Sequence, residues 1–169
     1  MTFDELYKAC LITGTSYKDR RTGVGISLKP KSGEKIRLFP LDNPPNRECR
    51  LREHLRLKQV CDLVLFYSDG RRLIICLVEL KGSDIYHAAE QLINVYRKLQ
   101  PYLRRVLPTS TVGEKIHLTE WRAYICQGKH SSAHSQRRKK TRLLLQKFGQ
   151  FNRYDISRNP DVGQFLRKK

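Results

Sequence analysis

The chain has 169 residues and a formal net charge of +18 at pH 7, from 34 Lys and Arg against 16 Asp and Glu. Its 39% apolar residues suffice for a core, so one domain spanning residues 1–169 is expected. No stretch approaches the roughly 18–20 apolar residues of a membrane span, and the N-terminus lacks the basic-then-apolar order of a secretory signal. So strong a positive field attracts polyanions, nucleic acid first and anionic membrane second.

The cysteines are odd in number, and none forms a Cys-x-x-Cys pair. This usage predicts free, mostly buried thiols in a protein of the reducing cytoplasm. The spacing Cys126-x3-His130-x3-His134 offers only three zinc ligands without an evident fourth, so a buried thiol and loop histidines are the favoured interpretation. The five cysteines are Cys10, Cys49, Cys61, Cys76 and Cys126.

The N-terminal third predicts short elements. The stretch FDELYKACLI has apolar residues at helical spacing, and TSYKDRRTG resembles a basic turn. The runs VGISLKP and KIRLFPL flank KSGE and predict a hairpin. A proline-rich loop, DNPPN, follows. The next segment, RECRLREHLRLK, fits either a strand or a helix, because its leucines satisfy both periods.

The middle of the chain predicts a second hairpin and a long helix. Two apolar, β-rich runs flank Asp69-Gly70, which is a strong turn signal. From Ile85 the apolar period changes to that of a helix and holds as far as Leu99. Pro101 is expected to kink or end this helix.

The remaining elements are a strand at WRAYICQ, a basic helical segment at SQRRKKTRLLLQKFG that Gly149 would stop, and a last strand at FNRYDIS. Strands grouped around one long helix favour the α/β (α+β) class, with a central mixed β-sheet flanked by helices.

Acidic residues stand at the end of the predicted hairpin, where the apolar run meets Glu79 and Lys81. Side chains alternate across a strand, so these two share a face. A two-residue turn at Asp69-Gly70 would put Asp62 opposite Leu77, on the same face and diagonal to Glu79. A four-residue loop is expected to keep the same register, whereas a three-residue loop would turn Asp62 to the other face.

Two carboxylates and a lysine at one sheet end have a plausible chemistry. Hard oxygen ligands bind Mg²⁺ or Mn²⁺, and such a metal stabilises charge on a phosphate. Acidic residues would otherwise repel the backbone of a nucleic acid, so their presence in a very basic chain suggests a metal between them. The alternative is a surface pair of Glu79 and Lys81 at a strand end that simply meets solvent.

The pattern resembles the PD-(D/E)XK nuclease superfamily, whose fold is the restriction-endonuclease-like core. The resemblance rests on Asp62 in VCDLVLF, on Glu79-Leu80-Lys81 in LVELKG, and on the helix with Gln91 that follows. It covers roughly Val60 to Leu99.

This resemblance implies roles for particular residues. Asp62 and Glu79 would bind the metal together with the Leu80 carbonyl, and Lys81 would position the attacking water or stabilise the transition state. Gln91 would assist from the following helix. A further glutamate is expected on the first helix, and Glu5 is the candidate, with Glu48 and Glu53 as competitors.

Basic residues are concentrated at the C-terminal end, where residues 127–169 hold 12 Lys and Arg against 2 Asp and Glu. This segment is predicted to be a basic extension that contacts backbone phosphates, although a solvated charge run has the same composition. A second patch is expected in the basic turn. The predicted nucleic-acid-binding residues are Lys18, Arg20, Arg21, Lys129, Arg137, Arg138, Lys139, Lys140 and Arg142.

The interpretation is therefore a cytoplasmic, Mg²⁺- or Mn²⁺-dependent hydrolase that cuts phosphodiester bonds, an endonuclease with DNA ahead of RNA as its substrate. A homodimer is expected, because a two-fold dimer is the commonest oligomer. No membrane partner is expected. Two alternatives stay open: a non-catalytic nucleic-acid-binding subunit on the same fold, and an RNase or cyclic-oligonucleotide hydrolase.

Overall fold

The computed structural model describes residues 8–44, 46, 48–81, 84–106, 119–128 and 135–168. The strands are β1 (Ser16–Lys18), β2 (Gly25–Ser27), β3 (Lys35–Pro40), β4 (Leu63–Ser68), β5 (Leu73–Lys81), β6 (Thr119–Gln127) and β7 (Arg153–Ser157). The helices are α1 (Leu51–His54), α2 (Ile85–Val106), α3 (Ser135–Phe148) and α4 (Val162–Arg167). Residues 8–10 are also helical.

The main sheet has five strands in the order β3-β4-β5-β6-β7, and β1 pairs with β2 in a separate two-stranded sheet. Strands β3, β4 and β5 are antiparallel neighbours, whereas β5, β6 and β7 run parallel. Parallel neighbours need a crossover, and α2 and α3 lie within the two crossover connections. The predicted mixed sheet flanked by helices is confirmed.

Both faces of the sheet are covered, which explains the continuous apolar run of β5. On one face, Ile75 and Leu77 pack against α2, whose buried stripe includes Ala88 and Leu92. On the other face, the alternate residues of β5 pack against the β1–β2 hairpin and α4. We call these the helix face and the hairpin face.

The predicted pairing of β2 with β3 is wrong. Tyr17 of β1 lies opposite Ile26 of β2, and Phe39 of β3 lies opposite Val64 of β4. The predicted basic turn therefore contains a strand as well as a turn. The KSGE motif favours a local turn. However, Ile26 is buried on the hairpin face and Phe39 on the helix face, so the two segments that flank the motif do not pair.

The β4–β5 connection is longer than the two-residue turn used for prediction. Ser68 lies opposite Leu73, so residues 69–72 form the loop. The Asp69 carboxylate accepts hydrogen bonds from the main-chain nitrogens of Arg71 and Arg72, each at 3.0 Å. These hydrogen bonds therefore stabilise a four-residue loop in place of the predicted two-residue turn.

Pro101 was expected to kink or end helix α2. The helix continues through Pro101 to Val106, so Pro101 does not end it. Tyr102 and Leu103 beyond the proline are buried. Their packing compensates for the hydrogen bond that proline cannot donate. The ambiguous segment before β4 contains the short helix α1.

Residues 135–168 are built into the fold rather than appended to it. Helix α3 packs Leu145 against the helix face, and Gly149 donates its main-chain nitrogen to the Leu145 carbonyl at 3.0 Å, where the helix ends as predicted. Strand β7 completes the sheet. Helix α4 was not predicted; Phe165 and Leu166 bury it on the hairpin face.

The fully buried Arg122 of β6 holds the end of α4. Its guanidinium donates to the carbonyls of Phe165 at 2.7 Å and Leu166 at 3.0 Å, and to that of Lys168 at 2.8 Å. Glu120 supplies the opposite charge at 2.6 Å. A cation at the C-terminal end of a helix satisfies its unpaired carbonyls, so Arg122 fixes the chain end to the sheet.

The cysteines differ from prediction in one respect. Cys10 and Cys49 form a disulfide, so these two thiols are not free. Cys61, Cys76 and Cys126 are free and buried, as expected. In the part of the chain that the structure describes, no helix combines the length and apolarity needed to cross a membrane.

A second ion pair links α4 to the turn before β3. Arg167 donates Nε to Glu34 Oε1 and Nη2 to Glu34 Oε2, both at 2.8 Å. Tyr67 donates its hydroxyl to Glu34 Oε1 at 2.8 Å. The Arg167 hydrogen bonds, with those from Lys31 and Tyr67, lower the pKa of Glu34 to about 2 against the opposing effect of burial.

We predict that Glu34→Gln lowers the free energy of unfolding by about 1–3 kcal/mol at pH 7, because a charge-assisted pair is lost. The pKa of Glu34 is depressed in the folded state. Its stabilising contribution is therefore present above the ordinary pKa of about 4.5 and disappears as the pH falls towards 2. Urea unfolding at pH 7 and at pH 2.5 measures both effects; an equal loss at the two pH values would contradict this assignment.

Candidate active site

Two carboxylates meet at one end of the sheet, where β4 begins and β5 ends. We call this end of the sheet the carboxylate edge. The register that places Leu63 opposite Val78 puts Asp62 opposite Glu79. Asp62 is 5% exposed and Glu79 is 2% exposed. They share one face, as the alternation predicted, and it is the helix face. They lie directly opposite each other instead of diagonally, because the four-residue loop shifts the register by two residues; the expectation that such a loop keeps the register is wrong.

Main-chain hydrogen bonds hold both acids in place. The main-chain nitrogen of Asp62 donates to Glu79 Oε2 at 3.1 Å. The main-chain nitrogen of Leu80 donates to Asp62 Oδ2 at 2.6 Å. Each carboxylate thus accepts a hydrogen bond from the strand that carries the other, which limits their side-chain freedom. Lys81 Nζ lies 2.9 Å from Glu79 Oε1 and supplies one positive charge.

The pKa values of both acids are raised. Burial is the largest cause for Asp62, whose pKa rises to about 6; the Leu80 hydrogen bond and Lys81 oppose the rise, and Asp19 and Asp42 add to it. Burial and the Asp62 charge raise the pKa of Glu79 to about 8, against the effect of Lys81. One ammonium group thus compensates only part of the negative charge that the two acids carry when ionised.

Three residues near the carboxylates were not foreseen. The Asp62 carbonyl accepts a hydrogen bond from the Leu41 nitrogen at 2.9 Å, so β3 brings Asp42 to this edge. The β1–β2 hairpin brings Asp19 and Tyr17. Burial, and next the Asp62 charge, raise the pKa of Tyr17 to about 12. Pairing β3 with β4 at the sequence level would have revealed Asp42.

Helix α2 fixes the segment that leads into Asp62. Gln91 Nε2 donates to the Val60 carbonyl at 2.9 Å, and Asn94 Nδ2 donates to the Gln59 carbonyl at 2.9 Å. Gln91 Oε1 is buried and has no hydrogen-bond partner in the described structure. Gln91 therefore positions the chain beside Asp62. Asn94, which the prediction missed, is one helical turn further along the same flank.

The third acidic ligand has no counterpart among the described residues. Glu5 lies outside them, and Glu48 and Glu53 are exposed. Across the described ranges, no three Asp, Glu, His or Cys side chains form a group that could hold a metal ion. The candidate donors are therefore the two carboxylates and the Leu80 carbonyl that the sequence predicted.

The predicted nucleic-acid-binding residues fall into two exposed groups. Lys18, Arg20 and Arg21 are exposed at the β1–β2 end. On α3, Arg138 is half-buried and donates to the Ile156 carbonyl at 2.6 Å, so it joins α3 to β7. Lys129 lies outside the described residues. The exposed basic residues of α3 from the predicted set are Arg137, Lys139, Lys140 and Arg142.

The donor chemistry fits a divalent cation. Carboxylate and carbonyl oxygens are hard ligands, which Mg²⁺ and Mn²⁺ prefer. Asp62 and Glu79 are buried side by side with a single lysine, so their ionised forms lack part of the compensating positive charge. A divalent cation would supply it.

Comparisons with protein-family models, with curated proteins and with solved structures found no match to this chain.

We predict that Glu79→Gln stabilises the metal-free protein at pH 8 by about 1–3 kcal/mol, because it removes a buried charge beside Asp62. The folded-state pKa of Glu79 is raised to about 8. The wild-type stability due to its protonation is therefore present below about 4.5 and disappears as the pH rises through 8. The gain from the variant should accordingly shrink at pH 5.

Urea unfolding in EDTA at both pH values gives the measurement, with Glu53→Gln as the control because Glu53 is exposed on α1. A gain of the same size at pH 5 and pH 8 would show that the charge of Glu79 is not its cause.

Proposed function

We propose that the protein is a metal-dependent nuclease that hydrolyses phosphodiester bonds, with DNA as its substrate and Mg²⁺ or Mn²⁺ as its cofactor. The observation that carries the proposal is the buried pair of Asp62 and Glu79, with Lys81 2.9 Å from Glu79. This pair lies at a sheet edge of a chain whose net charge is +18.

The arrangement supports separate roles for the three residues. Asp62 and Glu79 would hold the cation, together with the Leu80 carbonyl. The cation, when bound, would supply positive charge to the phosphate as negative charge develops there. Lys81 is 16% exposed at its side chain, so its ammonium group reaches both Glu79 and the solvent edge. From there it would orient the attacking water.

Preorganisation supports catalysis over a simple surface pair. The hydrogen bonds from the Asp62 and Leu80 nitrogens fix the two carboxylates. Gln91 fixes the chain two residues before Asp62. A site held in this way does not need to reorganise when charge develops, which is the largest source of electrostatic catalysis.

The resemblance to the PD-(D/E)XK superfamily supports the same conclusion. It implies a restriction-endonuclease-like core, and a mixed sheet flanked by helices with acids at one edge is consistent with that core. It also implies products with a 5′-phosphate and a 3′-hydroxyl. The homodimer stays a prediction. So does the cytoplasmic location, and the Cys10–Cys49 disulfide removes two of the thiols on which it depended.

A second candidate is a non-catalytic nucleic-acid-binding subunit. The observation that favours it is that Glu79 is already paired with Lys81 and hydrogen-bonded to the Asp62 nitrogen. In this alternative the network only closes the sheet edge. It predicts salt-sensitive binding without metal-dependent cleavage.

We expect the wild-type protein to cut plasmid or linear DNA with Mg²⁺ or Mn²⁺ and not with EDTA. Asp62→Asn should abolish cutting, and Lys81→Met should slow it by about 10²–10³, because a charge that acts on the transition state is lost. Single-turnover cleavage of DNA, with RNA and a cyclic oligonucleotide as further substrates, measures these rates.

Lys35→Met is the matched control, since it removes the same charge from the far end of the sheet, where Lys35 lies opposite Ser68. Loss of rate in Lys81→Met but not in Lys35→Met supports the nuclease. Binding of DNA without cutting by the wild type, in any of the metals, would reject it in favour of the non-catalytic subunit. Cutting of only RNA or only the cyclic oligonucleotide would reject DNA as the substrate.

A further inference from the structure

Two exposed basic groups lie on opposite sides of the carboxylate edge. The first, the hairpin tip, consists of Lys18, Arg20 and Arg21, and it belongs to the layer that covers the hairpin face. The second, the helix start, consists of Arg137, Lys139 and Lys140 on the first two turns of α3, which packs on the helix face. None of the six forms an ion pair with another residue in the described part of the chain.

Contacts place the hairpin tip at the carboxylate edge. Gly128 donates its main-chain nitrogen to the Lys81 carbonyl at 3.0 Å. Val24, which closes the tip, lies next to Gly128, because a Cβ added at Gly128 would lie 3.2 Å from Val24 Cγ2. The tip is therefore adjacent to the chain that is hydrogen-bonded to Lys81. The Cys126 thiol also donates to the Gly25 carbonyl at 3.6 Å.

The tip is rigid. Asp19 is 3% exposed, and its carboxylate accepts hydrogen bonds from the Arg21 nitrogen at 3.2 Å and the Thr22 nitrogen at 2.9 Å. The main-chain nitrogen of Gly23 donates to the Asp19 carbonyl at 2.9 Å. Arg20 and Arg21 are thus carried by an ordered backbone and project into solvent, which lowers the entropic cost of binding a charged ligand.

The helix start lies at the same edge. Strands β6 and β7 are parallel, so α3 begins near the C-terminal end of β6 and runs back along the sheet. Arg138 confirms this placement by donating to the Ile156 carbonyl near the C-terminal end of β7. The two basic groups therefore lie at the same end of the sheet as the carboxylates, one on each face.

We propose that the hairpin tip and the helix start form a two-sided clamp that holds a B-form DNA duplex across the carboxylate edge. This inference rests on the proposed function and names its substrate form. A layer packed on each side of a sheet, at about 10 Å per layer, separates the two groups by roughly 20 Å, which is of the order of the width of a duplex.

The shape of the tip favours DNA over RNA. The major groove of B-form DNA admits a two-stranded β-ribbon such as β1–β2. The major groove of an RNA duplex is too deep and narrow for side chains to enter. Arg20 and Arg21 would enter or border the groove, while the helix start contacts the phosphates on the other side.

The test measures binding with Ca²⁺ in place of Mg²⁺, by fluorescence anisotropy over a range of salt concentrations. The ligands are a short DNA duplex and an RNA duplex of the same sequence. The variants are Arg20→Gln/Arg21→Gln at the tip and Arg137→Gln/Lys140→Gln on the helix. Lys29→Gln/Lys31→Gln is the control, because it removes the same charge from exposed positions beyond the other end of the hairpin.

Each clamp variant is expected to weaken duplex binding about tenfold relative to the control and to lower the salt slope by about 2. Combined, they should weaken it about a hundredfold, since the two groups are far apart. The RNA duplex should lose less affinity than the DNA duplex with the tip variant, because its narrow major groove does not admit the tip.

A tip variant that binds duplex DNA as tightly as the control would overturn the clamp. So would an RNA duplex that loses as much affinity as the DNA duplex with the tip variant. Binding does not require cleavage, so the two proposals fail separately. A protein that binds as predicted but cuts nothing refutes the nuclease alone, and one that cuts but ignores the tip variant refutes the clamp alone.

Discussion

The reciprocal hydrogen bonds between Asp62 and the β5 strand are the constraint on which the site depends. Each acid accepts a main-chain hydrogen bond from the other's strand, so the carboxylates converge only when β4 and β5 pair in this register. A shift by one residue would move Asp62 to the hairpin face. The loop at residues 69–72, which the Asp69 carboxylate stabilises, therefore helps to set the geometry of the carboxylates at the opposite end of the hairpin.

The face of the acids could be predicted from the sequence, because alternation fixes it for any loop with an even number of residues. The register could not be predicted, because the hydrogen bonds of the Asp69 carboxylate favour a four-residue loop over the two-residue turn that Asp69-Gly70 indicates. The pairing of β3 was missed for a different reason: KSGE is a credible local turn, and only burial on opposite faces of the sheet separates β2 from β3. Asp42 and Asn94 were missed because their proximity to Asp62 is a tertiary property. Helix α4 is too short for a periodic signal and is held by Arg122 instead.

The charges buried at the carboxylate edge are opposite in sign to the net charge of the molecule. The chain carries +18, yet the most buried acidic residues stand together at one sheet edge, where the charge of Asp62 raises the cost of ionising Glu79. Such an arrangement sacrifices stability locally, which natural proteins accept mainly where a ligand restores the balance. The basic residues surround this edge from both faces, so a polyanion attracted by the overall field would arrive where the acids lie.

Cys61 gives this edge an internal reporter. The thiol is fully buried immediately before Asp62, and burial, followed by the neighbouring acids, raises its pKa well above the ordinary range. The thiolate is the nucleophile that attacks alkylating reagents, so Cys61 can be modified only when the segment from Gln59 to Leu63 detaches from α2 and admits solvent. The rate of alkylation would thus report how often this segment opens in the wild-type protein. A cation or a nucleic acid that binds at the edge would slow it without any label having been introduced.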